Sequence, residues 1–206
     1  MYTKPQDFIT DKSTTLCFTG HRERSIPVYQ GDEKYRQLTY NTVEFLLSRY
    51  IDSAVERGYR TFISGFAEGF DLWAAEYVLK LKQKGAAVRL VGAIPFHRHA
   101  DRFSYENKQL LSRVTQNAEM LISVCGDPNM RYSPKPVFNF QSNTLYKDRN
   151  YFMVDNSSAL IGFCENYASG TGQTVNYARK CGLDVVTYNS AEVFEFLDKH
   201  NYNTSR

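Results

Sequence analysis

The chain has no apolar run approaching the ~20 residues that a membrane helix requires, so no spanning segment is expected. Its first twelve residues, MYTKPQDFITDK, are polar and lack an apolar core, so no secretory leader is expected and the cytoplasm is the expected compartment. Cysteine is scarce. Cys17, Cys125, Cys164 and Cys181 are scattered with no C-x-x-C pair, which excludes a recognisable zinc or disulfide framework and leaves buried small hydrophobes as the reading. Charge of one sign is lacking too: the formal net charge is +3, without the concentrated basic stripe of a nucleic-acid binder. There is no repeat and no low-complexity segment.

What is present is ordinary for a folded domain. Of 206 residues, 42% are hydrophobic and 23% charged, which argues against disorder. A chain of this length buries roughly 70% of its unfolded surface and needs no metal or crosslink to fold. One domain over 1–206 is expected, with its core at about 14–199.

Apolar runs alternate with amphipathic stretches. Strands are expected at 15–19, 61–64, 88–94, 120–124, 159–163 and 184–188. Helices are expected at about 35–56, 70–84, 103–117, 148–156, 173–180 and 191–199, with stops at Gly58 and Gly85. The stretch 126–147 holds three of the six prolines and little periodicity, and reads as a long loop. The tail, HNYNTSR, is expected to fray. Sixfold alternation implies βαβ units, hence an α/β, Rossmann-like three-layer sandwich with a mostly parallel sheet of about six strands. Ligands of such sheets bind at the carboxyl ends of the strands, where strand order reverses.

Four strand ends carry unusual residues. Gly20, His21 and Arg22 follow the first strand; glycine permits close approach of a ligand, and Arg22 either pairs with a phosphate or lies solvated. Ser64, Gly65, Gly69 and Asp71 surround a turn that opens a helix, where free N–H groups favour anions. This turn matches neither G-x-G-x-x-G nor a Walker A loop. Asp71 contacts a ligand or compensates the helix dipole. Glu76, five residues on, is a helix-face residue that could reach a pocket. Ser169, Gly170, Thr171 and Thr174 open a later helix as a phosphate cradle, or simply cap it. Arg149 and Asn150 would meet a phosphate and a base or carbonyl if their helix faces the same cleft. His97 and His99 look like a metal pair, but no third ligand is placed by spacing, so no metal site is expected. The basic residues between Arg98 and Arg113 are interleaved with acidic ones and read as a solvated helix face.

Taken in order, Thr-Gly-His-Arg (19–22), Ser-Gly-x-x-x-Gly-x-Asp-x-Trp-Ala-Ala-Glu (64–76), Ile-Pro-Phe (94–96), Arg-Asn-x-x-Met-Val-Asp (149–155) and Ser-Gly-Thr-x-x-Thr-Val-x-Tyr-Ala (169–178) carry a resemblance. The chain resembles the YpsA-like branch of the SLOG superfamily, relatives of the LOG phosphoribohydrolases and the DprA proteins, from about Thr14 to Tyr188. The resemblance implies a Rossmann-like fold and a pocket for a nucleotide or nucleotide derivative. It matches Gly170 and Thr171 to the phosphate loop, Gly65 and Gly69 to the glycine-rich turn opposite, and Asp71 to the acidic residue after it. Ser169 stands where the family usually has glycine. LOG enzymes place a glutamate shortly after Gly-Thr; here Gly172, Gln173 and Thr174 occupy that stretch, and an amide cannot act as a general base.

Three readings follow. The first is a nucleotide-sensing protein in which helix N-termini hold phosphates, Arg22 and Arg149 neutralise charge, Asp71 contacts ribose, and Phe66 or Phe70 stacks on a base. The second is a hydrolase of an N-glycosidic bond, with Asp71 or Glu76 as the catalytic carboxylate. The third, a single-stranded nucleic-acid binder like DprA, lacks the positive groove such binding needs. No cofactor is expected beyond the nucleotide-type ligand itself, and a homodimer is the expected assembly.

Overall fold

The computed structural model describes residues 2–26, 33–132 and 136–199. The expected fraying of the tail lies outside the described residues. Strands and helices alternate as β1 (Thr15–Gly20), α1 (Glu33–Glu56), β2 (Thr61–Ser64), α2 (Phe70–Gln83), β3 (Arg89–Ile94) and α3 (Tyr105–Asn117). They continue as β4 (Met120–Ser123), α4 (Pro136–Asp155), β5 (Ala159–Phe163), α5 (Gly170–Lys180), β6 (Asp184–Tyr188) and α6 (Ser190–Lys199).

The six strands form one sheet in the order β4-β3-β2-β1-β5-β6. Every pairing is parallel, from Leu16 against Phe62 on one side of β1 to Leu16 against Ala159 on the other. The chain therefore walks outward from β1 to β4, returns, and continues with β5 and β6. Strand order reverses between β1 and β5, and the loops leaving these two strands diverge there.

A strand alternates its side chains between two faces, and the core follows that period. Leu16, Phe18, Phe62, Leu90 and Ile161 join one cluster with Val43, Leu47 and Ile51 of α1, Leu72 and Val78 of α2, Leu110 and Val114 of α3, and Val193 and Leu197 of α6. Cys17, Ile63, Val91, Ile122 and Leu160 join the other, with Met153 and Val154 of α4 and Val175 and Ala178 of α5. Three layers result. Fully buried residues such as Phe18, Phe62 and Phe163 each contribute about 1.5–3 kcal/mol by leaving water. The β4 edge is covered by the N-terminal segment: Thr3 N–H donates to the Leu121 carbonyl at 2.7 Å, and Ser123 N–H to the Thr3 carbonyl at 3.2 Å.

One expectation requires correction. The segment 126–147 is not loop throughout, because α4 begins at Pro136 and runs 20 residues. Proline is tolerated in a first helical turn, where its missing N–H has no intrahelical acceptor to serve. The helix also lacks a clean apolar stripe, since its middle residues Asn143, Tyr146, Lys147 and Asn150 face a cavity rather than the core. Smaller shifts come from caps. Ser104 Oγ accepts from Asn107 N–H and starts α3 at Tyr105, and Ser169 Oγ accepts from Gly172 N–H and starts α5 at Gly170.

Among the described residues, no helix is long and apolar enough to cross a membrane.

Candidate functional site

The end of β1 is tied to the loop that follows β5. Thr171 Oγ1 donates to the Gly20 carbonyl at 3.1 Å, and Glu165 N–H donates to His21 Nε2 at 2.8 Å. A ring nitrogen that accepts carries no proton, so the His21 proton sits on Nδ1. Burial lowers the His21 pKa, against the opposing charge of Glu165. These bonds fix the two diverging loops at the point where strand order reverses.

Next to them lies the turn between β2 and α2. Ser64 Oγ donates to the Asp71 carbonyl at 2.8 Å and accepts from Phe66 N–H at 3.2 Å. Gly69, the N-cap of α2, has φ 82°, and a Cβ there would lie 2.5 Å from Glu23 N and 2.9 Å from the His21 carbonyl. Only glycine fits this conformation and this approach. Phe66 is buried with φ 51°, the one non-glycine residue of positive φ among the described residues. Such strain persists only where surrounding contacts over-determine the backbone.

Behind the turn sits a buried polar trio. The Arg149 guanidinium donates to the Gly65 carbonyl and, at 3.4 Å, to that of Ala93, while its Nε donates to Asn150 Oδ1 at 2.8 Å. Asp71 is 4% exposed and its Oδ1 has no hydrogen-bond partner. Burial pushes the Asp71 carboxyl up to about 6, although Arg149 and the N–H groups of Ala67 and Gly20 favour its charged form. His99 is 8% exposed; its Nδ1 lies 3.2 Å from the Phe96 carbonyl, and its Nε2 has no partner. Burial, then the charge of Arg149, brings the His99 pKa down to about 4, so the ring is neutral at pH 7.

In front of the trio opens a cavity of about 630 Å³, well within the range of small-molecule sites. Arg22 and Arg24 line it after β1, Glu68 after β2, and His99, Arg102 and Phe103 after β3. Tyr132, Tyr146, Lys147, Asn150 and Tyr151 line it from α4 and the segment before it. Gly170, Gln173 and Thr174 line it from the first turn of α5. Among the described residues, four cationic side chains line the cavity with one carboxylate, that of Glu68, which already accepts from Ser104 N–H at 3.1 Å. Asn150 is oriented by donating to Thr174 Oγ1 at 2.9 Å, and Thr174 in turn donates to the Gly170 carbonyl at 2.9 Å.

The structure thus brings Arg22, Asn150, Gly170 and Thr174 to one cavity wall. Gly20, His21, Ser64, Gly65, Gly69, Asp71, Arg149, Ser169 and Thr171 stand outside its lining, and several of them hold the loops that form it. Glu76 lies elsewhere, accepting from Tyr40 at 3.3 Å and paired with Arg113 at 3.1 Å. Phe66 and Phe70 are fully buried; Phe70 packs on Phe163 and Tyr188. His97 stacks on Tyr2, with ring centroids 4.2 Å apart. Sequence reasoning passed over Arg102, Phe103, Tyr132, Tyr146 and Lys147. Arg102 and Phe103 follow the carboxyl end of β3, so the strand-end rule itself was the available signal; the α4 residues had none while their segment read as loop.

The fold and its crevice define a doubly wound parallel α/β protein with a cationic cavity at the reversal of strand order. The chain belongs to the YspA SLOG family, which it matches over residues 16–188. It is 31% identical over 128 residues to the uncharacterized SPbeta prophage-derived protein YoqJ of Bacillus subtilis, a match covering 62% of this chain and 74% of that protein. It is 27% identical over 158 residues to a UPF0398 protein of Enterococcus faecalis, covering 76% and 79%. Among solved structures it is similar to DNA processing protein A of Helicobacter pylori, described for its single-stranded DNA binding mode. That likeness has a TM-score of 0.53 at 14% identity and covers 93% of this chain and 82% of that one. It is also similar to DprA of Streptococcus pneumoniae, with a TM-score of 0.51 at 19% identity, covering 85% of this chain and 50% of that one. The chain thus spans half the length of the pneumococcal protein. At these identities the likeness is one of fold.

Proposed function

We propose that this protein binds a nucleotide or nucleotide derivative in the cavity at the switch point and acts as a ligand sensor. One observation carries the reading: among the described residues, the cavity sets Arg22, Arg102, Lys147 and the first turn of α5 against the carboxylate of Glu68. The first-turn N–H groups and the helix dipole favour a phosphate at Gly170–Thr174. Arg22 adds a charge-assisted contact, Asn150 offers a base or carbonyl partner, and Tyr132, Tyr146 and Tyr151 supply aromatic surface for a base.

The hydrolase reading has less support. Neither Asp71 nor Glu76 lines the cavity, and Gln173, which does, carries an amide that cannot act as a general base. The likeness to DprA adds nothing on DNA binding, since it speaks for the fold alone.

Isothermal titration with nucleoside mono- and diphosphates tests the proposal. Saturable binding that Gly170→Asp abolishes supports it; binding unaffected by that substitution rules out the phosphate cradle. Release of free base during incubation would make the protein an enzyme instead.

A further inference from the structure

We propose that Asn150 is a positioning residue: it carries the anchorage of buried Arg149 across to Thr174 and so holds the α5 wall of the cavity in place. The proposal rests on the nucleotide-binding reading above and adds to it a residue on which affinity depends.

The relay runs through hydrogen bonds of fixed direction. Arg149 is 5% exposed, and its guanidinium has only donors to offer. It is fastened to the Gly65 carbonyl just after β2 and to the Ala93 carbonyl in β3, and its Nε donates to Asn150 Oδ1 at 2.8 Å. Because Arg149 cannot accept, the Asn150 amide has one orientation, with its oxygen toward Arg149 and its nitrogen toward α5. Nδ2 then donates to Thr174 Oγ1 at 2.9 Å, and Thr174 Oγ1 donates to the Gly170 carbonyl at 2.9 Å. Asn150, Thr174 and Gly170 all line the cavity.

What the relay holds is a peptide plane. The Gly170 carbonyl and the Thr171 N–H belong to one rigid unit, so pinning the oxygen orients the N–H. Thr171 Oγ1, bonded to the Gly20 carbonyl at 3.1 Å, pins the same turn from the β1 side. A Cβ on Gly170 would meet nothing within 4 Å, so no packing at that residue does the anchoring instead. Ser169 takes the N–H groups of Gly172 and Gln173, through its Oγ and its carbonyl, which leaves those of Gly170 and Thr171 as the remaining donors of the turn. Thr174 spends its one hydroxyl proton on Gly170 and has none to donate to an anionic ligand. Asn150 and Thr174 are uncharged, so truncating them leaves the charges of Arg22, Arg102 and Lys147 in the cavity as they are.

The experiment is isothermal titration of the full chain with AMP and ADP, with a melting curve for each protein. The variants are Asn150→Ala, Thr174→Val, Thr174→Ser and the double variant Asn150→Ala/Thr174→Val. A protein that is nine-tenths folded loses only about 10% in apparent affinity from its unfolded fraction, so a purely structural role leaves the dissociation constants in place. We expect Asn150→Ala and Thr174→Val each to weaken binding at least fivefold. Thr174→Ser, which restores the hydroxyl, should recover the affinity to within twofold of the wild type. The double variant should lose no more than the weaker-binding single variant, because the two residues act in series. Single variants within twofold of the wild type overturn the proposal, whatever their melting temperatures. Losses that multiply in the double variant also overturn it, since they mark two independent ligand contacts. If Asn150→Ala does not fold, Thr174→Val decides, because it breaks the relay and leaves Arg149 its acceptor; equal affinities of Thr174→Val and Thr174→Ser then overturn the proposal. In all these cases binding by the wild type leaves the nucleotide reading standing. A wild type that binds neither nucleotide overturns that reading and this proposal with it.

Discussion

Gly65 and Arg149 compete for the same space: the guanidinium donates to the Gly65 carbonyl, and a Cβ on residue 65 would lie 2.6 Å from its Cζ and 2.6 Å from Asp71 Oδ2. The absent side chain of residue 65 is what allows a buried arginine from α4 to fasten the end of β2. Gly65→Ala is expected to destabilise the protein by about 1–3 kcal/mol, the usual cost of overpacking a filled site. Urea unfolding measures it. A stability equal to that of the wild type contradicts the packing described.

Gly170 is the opposite case. A Cβ there would meet nothing within 4 Å, so Gly170→Asp is accommodated sterically. It does set a carboxylate in the first turn of α5, facing the cavity. Nucleotide affinity should fall by more than tenfold while the melting temperature stays within about 2 °C of the wild type. Loss of fold would show that the first turn of α5 is structural rather than a phosphate cradle.

Gln173 offers a test by charge alone. It lines the cavity with Arg22, Arg102 and Lys147, so Gln173→Glu adds a like charge where an anionic ligand sits. Affinity should drop severalfold, and the drop should shrink in high salt as screening grows. Tighter binding by Gln173→Glu would exclude an anionic ligand.

Two of the buried titratable groups, His99 and Asp71, give the protein opposed pH responses. His99 has its pKa lowered from 6.5 to about 4, so its contribution is complete above 6.5 and is lost as pH falls toward 4. Asp71 has its pKa raised from 3.8 to about 6, so its contribution is complete below 3.8 and is lost as pH rises through 6. Relative to the wild type, His99→Gln should lose less stability at pH 4 than at pH 7. Asp71→Asn should gain on the wild type over the same rise. Melting temperatures between pH 4 and 7 decide both; differences constant with pH contradict the assignment.

The sheet was legible because parallel strands buried on both faces leave short, nearly continuous apolar runs. Leu16-Cys17-Phe18, Phe62-Ile63 and Leu160-Ile161 are such runs, and each divides between the two core clusters as expected. The stretch 169–172 was legible as the opening of a helix, but the helix expected from about Gln173 begins at Gly170, with Ser169 as its cap. Most of α4 was not. Its residues 143–151 alternate between solvent, cavity and sheet, so no 3.6-residue stripe survives to announce it. Arg102 was hidden for a different reason. Interleaved charge looks like a solvated helix surface, and only the β3–α3 connection turns this arginine toward the cavity. Nor can spacing reveal that Arg149 is buried against carbonyl groups, because its acceptors Gly65 and Ala93 lie 84 and 56 residues away.

The central claim is that an anionic nucleotide occupies the cavity at the switch point, and thermal unfolding of the purified chain with and without nucleotides tests it most directly. A ligand at 100-fold over its dissociation constant should stabilise the fold by about 2.7 kcal/mol, a clear upward shift in melting temperature. The account predicts that shift for the wild type and its loss in Gly170→Asp. A melting temperature that no nucleotide moves, with the protein folded, contradicts the account.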